Sequence, residues 1–424
     1  MSRRCLILRR LLLVSAASLF LPFAAAQQRE AANIAYIHTS NEKARSDYLA
    51  RASIWSDPGV KTPEDILRGP IERFPLSRAE ADAPDGFPCK YTRSGVSLGG
   101  RTQKFICETP GGQSLRLKYY SDKGGNREIF GSVASTRLLW ALGFDADAVF
   151  PVKVKCLDCP EDPYSGSGNR ATRTYFATVE PHYEGTLILS GTDPEQGWSW
   201  AELDKAIRNL PQGALRDRQR MHFDALALLG VLIQHGDRKP SQQRLVCRGE
   251  VSLKAGDVHS VSPGQNTSWR MPVLFERPGM QSCQQPVVTV QDVGATYGGA
   301  GRFTIARTSK MSLEKWASKT LFRGPASSPD CVGNLTISAS SGPAGEASPR
   351  ISEQGRAFLA QQLKKLTEAH LRALFTAARV ELLGDENRYK DPETGRNLTG
   401  VDAWVAAFQR KVSEIDSKHC TPLE

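Results

Sequence analysis

A dense group of polar residues interrupts an apolar run in the middle of the chain. The run VLI ends at residue 233 and gives way to QHGDRKPSQ, residues 234–242, which contains Asp237, Lys239 and Gln242. A carboxylate can accept a proton or bind a cation, an ammonium group can face a negative charge, and an amide oxygen suits a hard cation. Because buried polar groups are costly unless they are satisfied, this spacing predicts a functional site.

Further polar residues lie in order around this stretch. Asp292 follows in VQDVG, residues 290–294, while upstream Lys118 lies in LRLKYY and Glu128 opens a helical segment. HGDRKPSQ resembles the protein-kinase catalytic loop H-R-D-L-K-P-E-N and the G-D-R-H-P-S-N loop of phosphatidylinositol-kinase-related enzymes. D-V-G resembles the kinase D-F-G motif, and Lys118 with Glu128 resembles the kinase Lys–Glu ion pair. The resemblance covers about residues 90–300.

The resemblance implies catalytic roles in phosphoryl transfer. In this reaction the protein positions the reacting groups and neutralises the phosphate charge. Asp237 would accept or orient the proton of the attacking hydroxyl group. Lys239 would lie against the transferring phosphate. His235 is predicted to be a packed, hydrogen-bonded scaffold residue.

The same resemblance implies a site for ATP, or another nucleotide, with Mg²⁺ or Mn²⁺. Asp292 would bind the metal together with the side-chain oxygen of Gln242. Lys118 would hold the α- and β-phosphates and would be oriented by Glu128. Gly294 would let the chain turn sharply after the metal ligand.

Several residues depart from the ordinary protein-kinase pattern. Gln242 stands in place of the catalytic-loop Asn, and Gly236 in place of the Arg of H-R-D. The predicted glycine loop, SGVSLGGRTQK at residues 94–104, lacks G-x-G-x-x-G, and no A-P-E follows the D-V-G. Glu128 comes only ten residues after Lys118, so Glu108 is an alternative partner. With these departures, the sequence is similar to atypical kinases of the HipA-type, lipid-kinase-like or secretory-pathway classes.

The elements around these residues predict an α+β chain with a bilobal protein-kinase-like fold. A small antiparallel β-sheet lobe with one helix would precede a mainly helical lobe, because short β-like runs give way to helical periodicity after residue 185. The predicted segments are a signal peptide at 1–26, a helical extension at 27–82, a nucleotide-binding lobe at 83–185, and a catalytic lobe at 186–424 with an insert at 248–285 and a mobile loop at 324–350.

The first 26 residues have the pattern of a secretory signal peptide. Arginines precede an apolar stretch that ends in Ala24-Ala25-Ala26, which predicts cleavage after Ala26 and export to a periplasm or the extracellular space. An uncleaved membrane anchor is the alternative, and SRRCLIL resembles a twin-arginine signal. No later stretch of about 18 apolar residues occurs, so no membrane span is predicted after cleavage.

The formal net charge is +10, and the predicted signal peptide carries four arginines and no acidic residue, which leaves +6 on the predicted mature chain. This mild excess is spread along the chain without a dense basic run, so nucleic acid is not a predicted partner. The expected partners are a nucleotide and a protein, lipid or sugar acceptor.

Eight cysteines follow the predicted signal peptide, an even number that favours disulfides in an exported chain. Cys156 and Cys159 are predicted to form a structural bridge, with redox or zinc chemistry as the alternatives. Cys247 follows the strand after the polar loop, and Cys283 precedes the strand that leads to Asp292. Strand position therefore predicts a Cys247–Cys283 disulfide.

Three functional hypotheses remain open. The first is an exported phosphotransferase, and the second is a disulfide-stabilised pseudokinase that binds without catalysis. The third is an unrelated hydrolase, which the absence of G-x-S-x-G and H-E-x-x-H disfavours. Retention of Asp237, Lys239 and Asp292 favours the first hypothesis, because a site without chemistry would tend towards neutral residues.

Overall fold

The computed structural model describes most of the chain. The described residues are 36–76, 83–93, 102–120, 126–181, 185–191, 196–252, 258–261, 271–298, 311–337 and 348–421. The predicted signal peptide and residues 94–101 of the predicted glycine loop lie outside them. The described residues form thirteen strands and nine α-helices, which confirms the mixed α and β character predicted from the sequence.

The elements have the following bounds. The strands are β1 (Tyr36–His38), β2 (Phe87–Thr92), β3 (Lys104–Glu108), β4 (Ser114–Tyr119), β5 (Phe150–Cys159), β6 (Ala171–Val179), β7 (Thr186–Leu189), β8 (Gln243–Cys247), β9 (Val258–Val261), β10 (Met271–Phe275), β11 (Pro286–Val290), β12 (Arg388–Lys390) and β13 (Asn397–Thr399). The helices are α1 (Glu42–Arg51), α2 (Pro63–Arg68), α3 (Glu128–Ala141), α4 (Trp200–Arg208), α5 (Ala214–Leu232), α6 (Leu313–Ser318), α7 (Glu353–Lys364), α8 (Glu368–Ala377) and α9 (Gly400–Ser417).

The chain divides into two compact units. The first comprises Met1–Ala52, Glu184–Gln196 and Leu245–Val287, and the second comprises Ser53–Tyr183, Gly197–Arg244 and Val288–Glu424. All the residues of the predicted catalytic site belong to the second unit.

The first unit is built on a sheet of short strands. β1 lies between β7 and β10 and is parallel to both, while β9 runs antiparallel to β10 and the end of β8 antiparallel to β7. The predicted insert over 248–285 therefore contributes two strands to a sheet. The predicted helical extension over 27–82 contains α1 and α2 but also β1, a strand too short for its sequence pattern to reveal.

The second unit contains a closed barrel with strand order β2-β3-β4-β6-β5. Four of its strand pairs are antiparallel, but β2 and β5 are parallel, so the predicted all-antiparallel sheet is wrong at this pair. Side chains alternate along each strand, and those that point inward form the barrel core. They include Phe87, Phe105, Leu117, Tyr119, Val152, Val154, Ala177 and Val179.

Helix α3 follows β4 at the point where the sequence predicted a helix. Every residue from Glu128 to Ala141 except Trp140 is buried, so the helix is enclosed on all sides and has no solvent-facing stripe. Gly143 follows with φ +87°, a left-handed conformation that glycine adopts without steric cost and that often ends a helix.

The helices after residue 197 hold the end of α5 in place. An aromatic cluster contains Tyr297, Trp316, Phe375, Trp404 and Phe408. From this cluster the Tyr297 backbone N–H donates to the Ile233 carbonyl (2.7 Å), and Trp316 Nε1 donates to the Leu232 carbonyl (2.6 Å). The last carbonyl groups of a helix have no partner inside it, so these bonds fix where the polar loop begins.

The eight cysteines that follow the predicted signal peptide are all paired. The disulfides are Cys89–Cys107, Cys156–Cys159, Cys247–Cys283 and Cys331–Cys420. The predicted bridges Cys156–Cys159 and Cys247–Cys283 are confirmed. Four disulfides suit an oxidising, extracellular environment. Within the described ranges, no helix combines the length and the apolar content needed to cross a membrane.

The predicted mobile loop over 324–350 is described at residues 324–337 and 348–350. There Cys331 is bonded to Cys420, and short antiparallel bridges join Phe322 to Gly333 and Val332 to Arg350. These contacts tie both described ends of the segment to the helical part of the second unit.

Candidate active site

Lys118 lies at the centre of the charged cluster. On β4, Leu115, Leu117 and Tyr119 point into the barrel core, so Lys118 points out of it on the opposite face. Its Nζ donates to Glu128 Oε1 (3.3 Å) and Asp292 Oδ1 (3.1 Å), and it lies 2.9 Å from Glu180 Oε1. Burial alone would lower the pKa of Lys118, but the three carboxylates raise it well above its usual value.

Helix α3 supplies Glu128 from its first turn, as the resemblance implied. Thr102 Oγ1 donates to Glu128 Oε2 (2.6 Å), which leaves Oε1 for Lys118. Burial raises the pKa of Glu128, and the nearby Lys118 opposes that rise. The alternative residue, Glu108, is exposed at the other end of β3, opposite Ser114. The structure thus brings Glu128, and not Glu108, to Lys118.

Asp292 occupies a left-handed backbone conformation, with φ +50°. Such a conformation is uncommon outside glycine and is concentrated at functional sites. The Lys118 ammonium group holds the pKa of Asp292 well below its usual range, so this carboxylate is ionised. Its side chain is 41% exposed, which leaves room for a ligand.

Gly294 lies in a turn that directly follows Asp292, as predicted, but this turn does not use the conformational freedom of glycine. The left-handed residue is Asp292, and Gly294 itself does not have a positive φ. A Cβ atom at Gly294 would lie 2.2 Å from Glu128 Cγ and 2.5 Å from Ser132 Oγ. The glycine is needed because α3 packs directly against the chain after Asp292, and this packing places Glu128 beside the metal-ligand candidate.

The polar loop after α5 brings Asp237 and Lys239 together and extends to Asp292 through Gln242. Lys239 Nζ donates to Asp237 Oδ2 (3.2 Å). Gln242 Nε2 donates to both Asp237 Oδ2 (3.3 Å) and Asp292 Oδ2 (2.8 Å), and the Gln291 backbone N–H donates to the Gln242 carbonyl (3.0 Å). One amide group therefore joins two carboxylates from two different segments.

Arg238 anchors this loop through buried contacts, a role that no sequence pattern indicated. Its side chain is completely buried, and the guanidinium carbon lies 3.8 Å from the Trp200 ring centroid, a cation–π geometry. Arg238 also donates to the His235 carbonyl (3.0 Å) and the Ala227 carbonyl (3.4 Å). A Cβ atom at Gly230 would lie 2.0 Å from an Arg238 nitrogen, so this helical glycine makes room for the anchor.

His235 is buried, as predicted, but its imidazole is not hydrogen-bonded. Neither ring nitrogen has a hydrogen-bond partner among the described residues. Burial, together with the Arg238 charge, lowers the pKa of His235 to about 3. The imidazole is therefore neutral at physiological pH and contributes packing, while the His235 backbone provides the hydrogen bonds.

Two carboxylates of the cluster were not predicted. Glu180 directly follows β6 and reaches Lys118, and Asp147 lies just before β5. Gln291 Nε2 donates to Asp147 Oδ1 (2.7 Å), and the Asp292 backbone N–H donates to Asp147 Oδ2 (3.4 Å). Asp147 thus braces the chain on both sides of the Gln291–Asp292 peptide bond. Single carboxylates at strand ends have no local pattern, so only the fold reveals them.

The oxygen donors present at the loop fit a hard divalent cation. Asp292 accepts a hydrogen bond from the Gln242 NH₂ group, so that group stands where a cation would neutralise the Asp292 carboxylate. Gln242 Oε1 is buried and has no partner among the described residues, and rotating the amide would turn this oxygen towards Asp292. The described residues contain no group of three or more His, Cys, Asp or Glu side chains that could hold a metal ion. Further ligands would come from water and phosphate.

Asp147, which is half-buried, predicts a pH-dependent stability. Burial, with the charges of Glu180 and Asp292, raises the pKa of Asp147 to about 7. The native state therefore binds a proton more tightly than the unfolded chain, and stability is lost as pH rises from about 4 to 7. Asp147→Asn should remove this loss. At pH 8 its free energy of unfolding should exceed that of wild type by up to about 4 kcal/mol, and its unfolding temperature should be higher, with a smaller gain at pH 5.

Thermal unfolding of both proteins across this pH range, without divalent cations, measures the effect. Asp217→Asn, at an exposed position of α5, is the control and should follow wild type. Equal pH dependence in wild type and Asp147→Asn would show that Asp147 ionises normally in the native protein.

Comparisons with known proteins give a likeness to a solved structure. No protein-family model matches the chain, and no curated protein matches it. Among solved structures, the chain is similar to a Helicobacter pylori proinflammatory kinase, CtkA, with a TM-score of 0.35 and 9% sequence identity. The likeness covers 78% of this chain and 93% of that one.

Proposed function

We propose that the chain is an exported, atypical kinase that transfers a phosphoryl group from a metal-bound nucleotide to a hydroxyl acceptor. The supporting observation is the convergence of one lysine, its carboxylate partners and the polar loop. Lys118, Glu128, Asp292 and Gln242 come from four separate parts of the sequence and form one hydrogen-bonded chain that ends at Asp237. A bilobal kinase-like arrangement of the second unit belongs to the same proposal.

Each residue has a distinct task in this reaction. Asp292, with the Gln242 oxygen, would bind the cation that neutralises the phosphates, and Lys118 would exchange a carboxylate contact for phosphate oxygens. Asp237 would take the proton from the acceptor hydroxyl group, because its carboxylate is partly exposed and held in position by Gln242. Lys239, 3.2 Å from Asp237, would balance charge on the transferred group.

Export rests on the predicted signal peptide and is supported by the disulfides. The paired cysteines would be reduced in a typical cytosol but persist in a periplasm or outside the cell. The proposal includes nucleotide binding, a requirement for Mg²⁺ or Mn²⁺, and a protein, lipid or sugar as the acceptor.

A disulfide-stabilised pseudokinase that binds without catalysis is the second candidate. The observation in its favour is that the Gln242 amide already joins Asp237 and Asp292, so these carboxylates have a partner without a metal. An extracytoplasmic location, where a bacterial cell holds little ATP, is also compatible with binding alone.

Turnover distinguishes the two candidates. The oxidised mature chain should be incubated with γ-phosphate-labelled ATP and Mg²⁺ or Mn²⁺, because a kinase without its acceptor hydrolyses ATP slowly. Metal-dependent release of labelled phosphate that is lost in Asp237→Asn is the result expected of a kinase. Nucleotide binding with no release above the level of the variant would support the pseudokinase.

A further inference from the structure

A second lysine lies directly across the sheet from Lys118. In the antiparallel register of β3 and β4, Lys104 is opposite Lys118 and Ile106 is opposite Arg116. Phe105 and Cys107 point into the barrel core, so Lys104 points to the same outer face as Lys118. Both lysines are largely buried.

This placement is costly for a fold that needs only stability. Like charges directly opposite each other on a sheet repel, and burying an ammonium group adds a desolvation cost, which the nearby carboxylates of Asp292 and Glu128 oppose. In agreement, burial and then the charges of Lys118 and Arg116 lower the pKa of Lys104, while the charges of Asp292 and Glu128 raise it. Lys104 therefore lies within electrostatic reach of the residues of the candidate active site.

We infer that Lys104 and Lys118 together form a phosphate-binding pair that takes the anionic phosphate chain of the nucleotide. A polyanion between two ammonium groups turns their repulsion into attraction, which explains why both charges are kept on one face of the barrel. Two lysines on neighbouring strands would also supply fixed cations in a sequence that lacks G-x-G-x-x-G. This inference rests on the proposed function and deepens it.

The test compares Lys104→Gln with wild type by calorimetric titration with MgATP, adenosine and inorganic tripolyphosphate. Losing one charge-assisted contact should weaken MgATP and tripolyphosphate binding by about tenfold or more, with adenosine unchanged. Lys104→Arg, which keeps the charge, should retain most of the affinity. Lys90→Gln, at an exposed position of β2, is the matched control and should bind as wild type does.

Lys104→Gln also distinguishes a role of Lys104 in ligand binding from a purely structural role. Without ligand, Lys104→Gln should unfold at a temperature close to that of wild type, because the substitution removes the repulsion from Lys118 together with the attraction to Asp292 and Glu128. Unchanged MgATP affinity, or an equal loss for MgATP and adenosine, would overturn the inference.

Tripolyphosphate distinguishes failure of this inference from failure of the proposed function. If wild type binds no nucleotide, the kinase proposal fails. Tripolyphosphate binding that depends on Lys104 would still support the phosphate-binding pair. If wild type binds neither nucleotide nor tripolyphosphate, both ideas are wrong.

Discussion

Asp237→Asn is expected to leave metal-dependent nucleotide binding intact while turnover falls by about 10²- to 10⁴-fold, the usual contribution of a general base. Asn is nearly isosteric with Asp and can still accept a hydrogen bond from Gln242, but it cannot take a proton from an acceptor hydroxyl group. The substitution should therefore act on kcat and spare the dissociation constant for MgATP.

The measurement is release of labelled phosphate from γ-labelled ATP, alongside calorimetric titration of the same preparation. Asp217→Asn, the exposed control on α5, should retain wild-type turnover. Equal turnover in Asp237→Asn and wild type would remove Asp237 from the mechanism. A loss of binding that matches the loss of turnover would instead assign Asp237 to the nucleotide site.

Asp292→Asn should abolish metal-dependent nucleotide binding. Removing groups that merely orient metal ligands costs about 10- to 100-fold in affinity, so replacing a direct carboxylate ligand should weaken MgATP binding by more than about 100-fold. The native fold should survive, because Lys118 keeps its contacts with Glu128 and Glu180.

Titration with MgATP, and with ATP in the presence of a chelator, measures the loss. The matched control is Asp224→Asn, another carboxylate of the second unit, which is buried and ion-paired with Arg220. Asp224→Asn should bind MgATP normally even if it is less stable. Wild-type metal dependence in Asp292→Asn would mean that the metal ligand lies elsewhere.

The parts of the site that could be predicted from the sequence were those with a local pattern. The polar loop follows a buried helix directly, and Asp292 follows a strand that pairs with the one after that loop, so strand pairing on either side of the 248–285 insert brings the two together. Lys118 and Glu128 were recognisable because a strand lysine precedes the first turn of the next helix. The structure brings these residues together at 2.8–3.3 Å.

The parts that could not be predicted depend on long-range contacts. Glu180 reaches Lys118 because β6 pairs with β4, and Asp147 reaches Asp292 because residues 145–147 pair with Val290 at the end of β11. The importance of Lys104 depends on strand register, since a shift of one residue would turn it into the core. Arg238 belonged to a visible motif, but its burial against Trp200 depends on α4, which is distant in sequence.

The disulfides likewise include some that could be predicted from the sequence and some that could not. Cys247 and Cys283 were paired from the positions of their strands, and Cys156 and Cys159 from their separation of three residues. Cys331 and Cys420 are separated by 89 residues, and sequence alone does not determine such a pairing.

The central claim, a metal-dependent nucleotide site at Lys118 and Asp292, is tested most directly by thermal unfolding of the oxidised mature chain with ATP, GTP or ADP, each with and without Mg²⁺ or Mn²⁺. A ligand that binds only the native state stabilises it by about 2.7 kcal/mol at one hundred times its dissociation constant. The predicted result is a rise in unfolding temperature that requires both nucleotide and metal and is absent in Asp292→Asn. No rise in wild type with any nucleotide and metal would contradict the account.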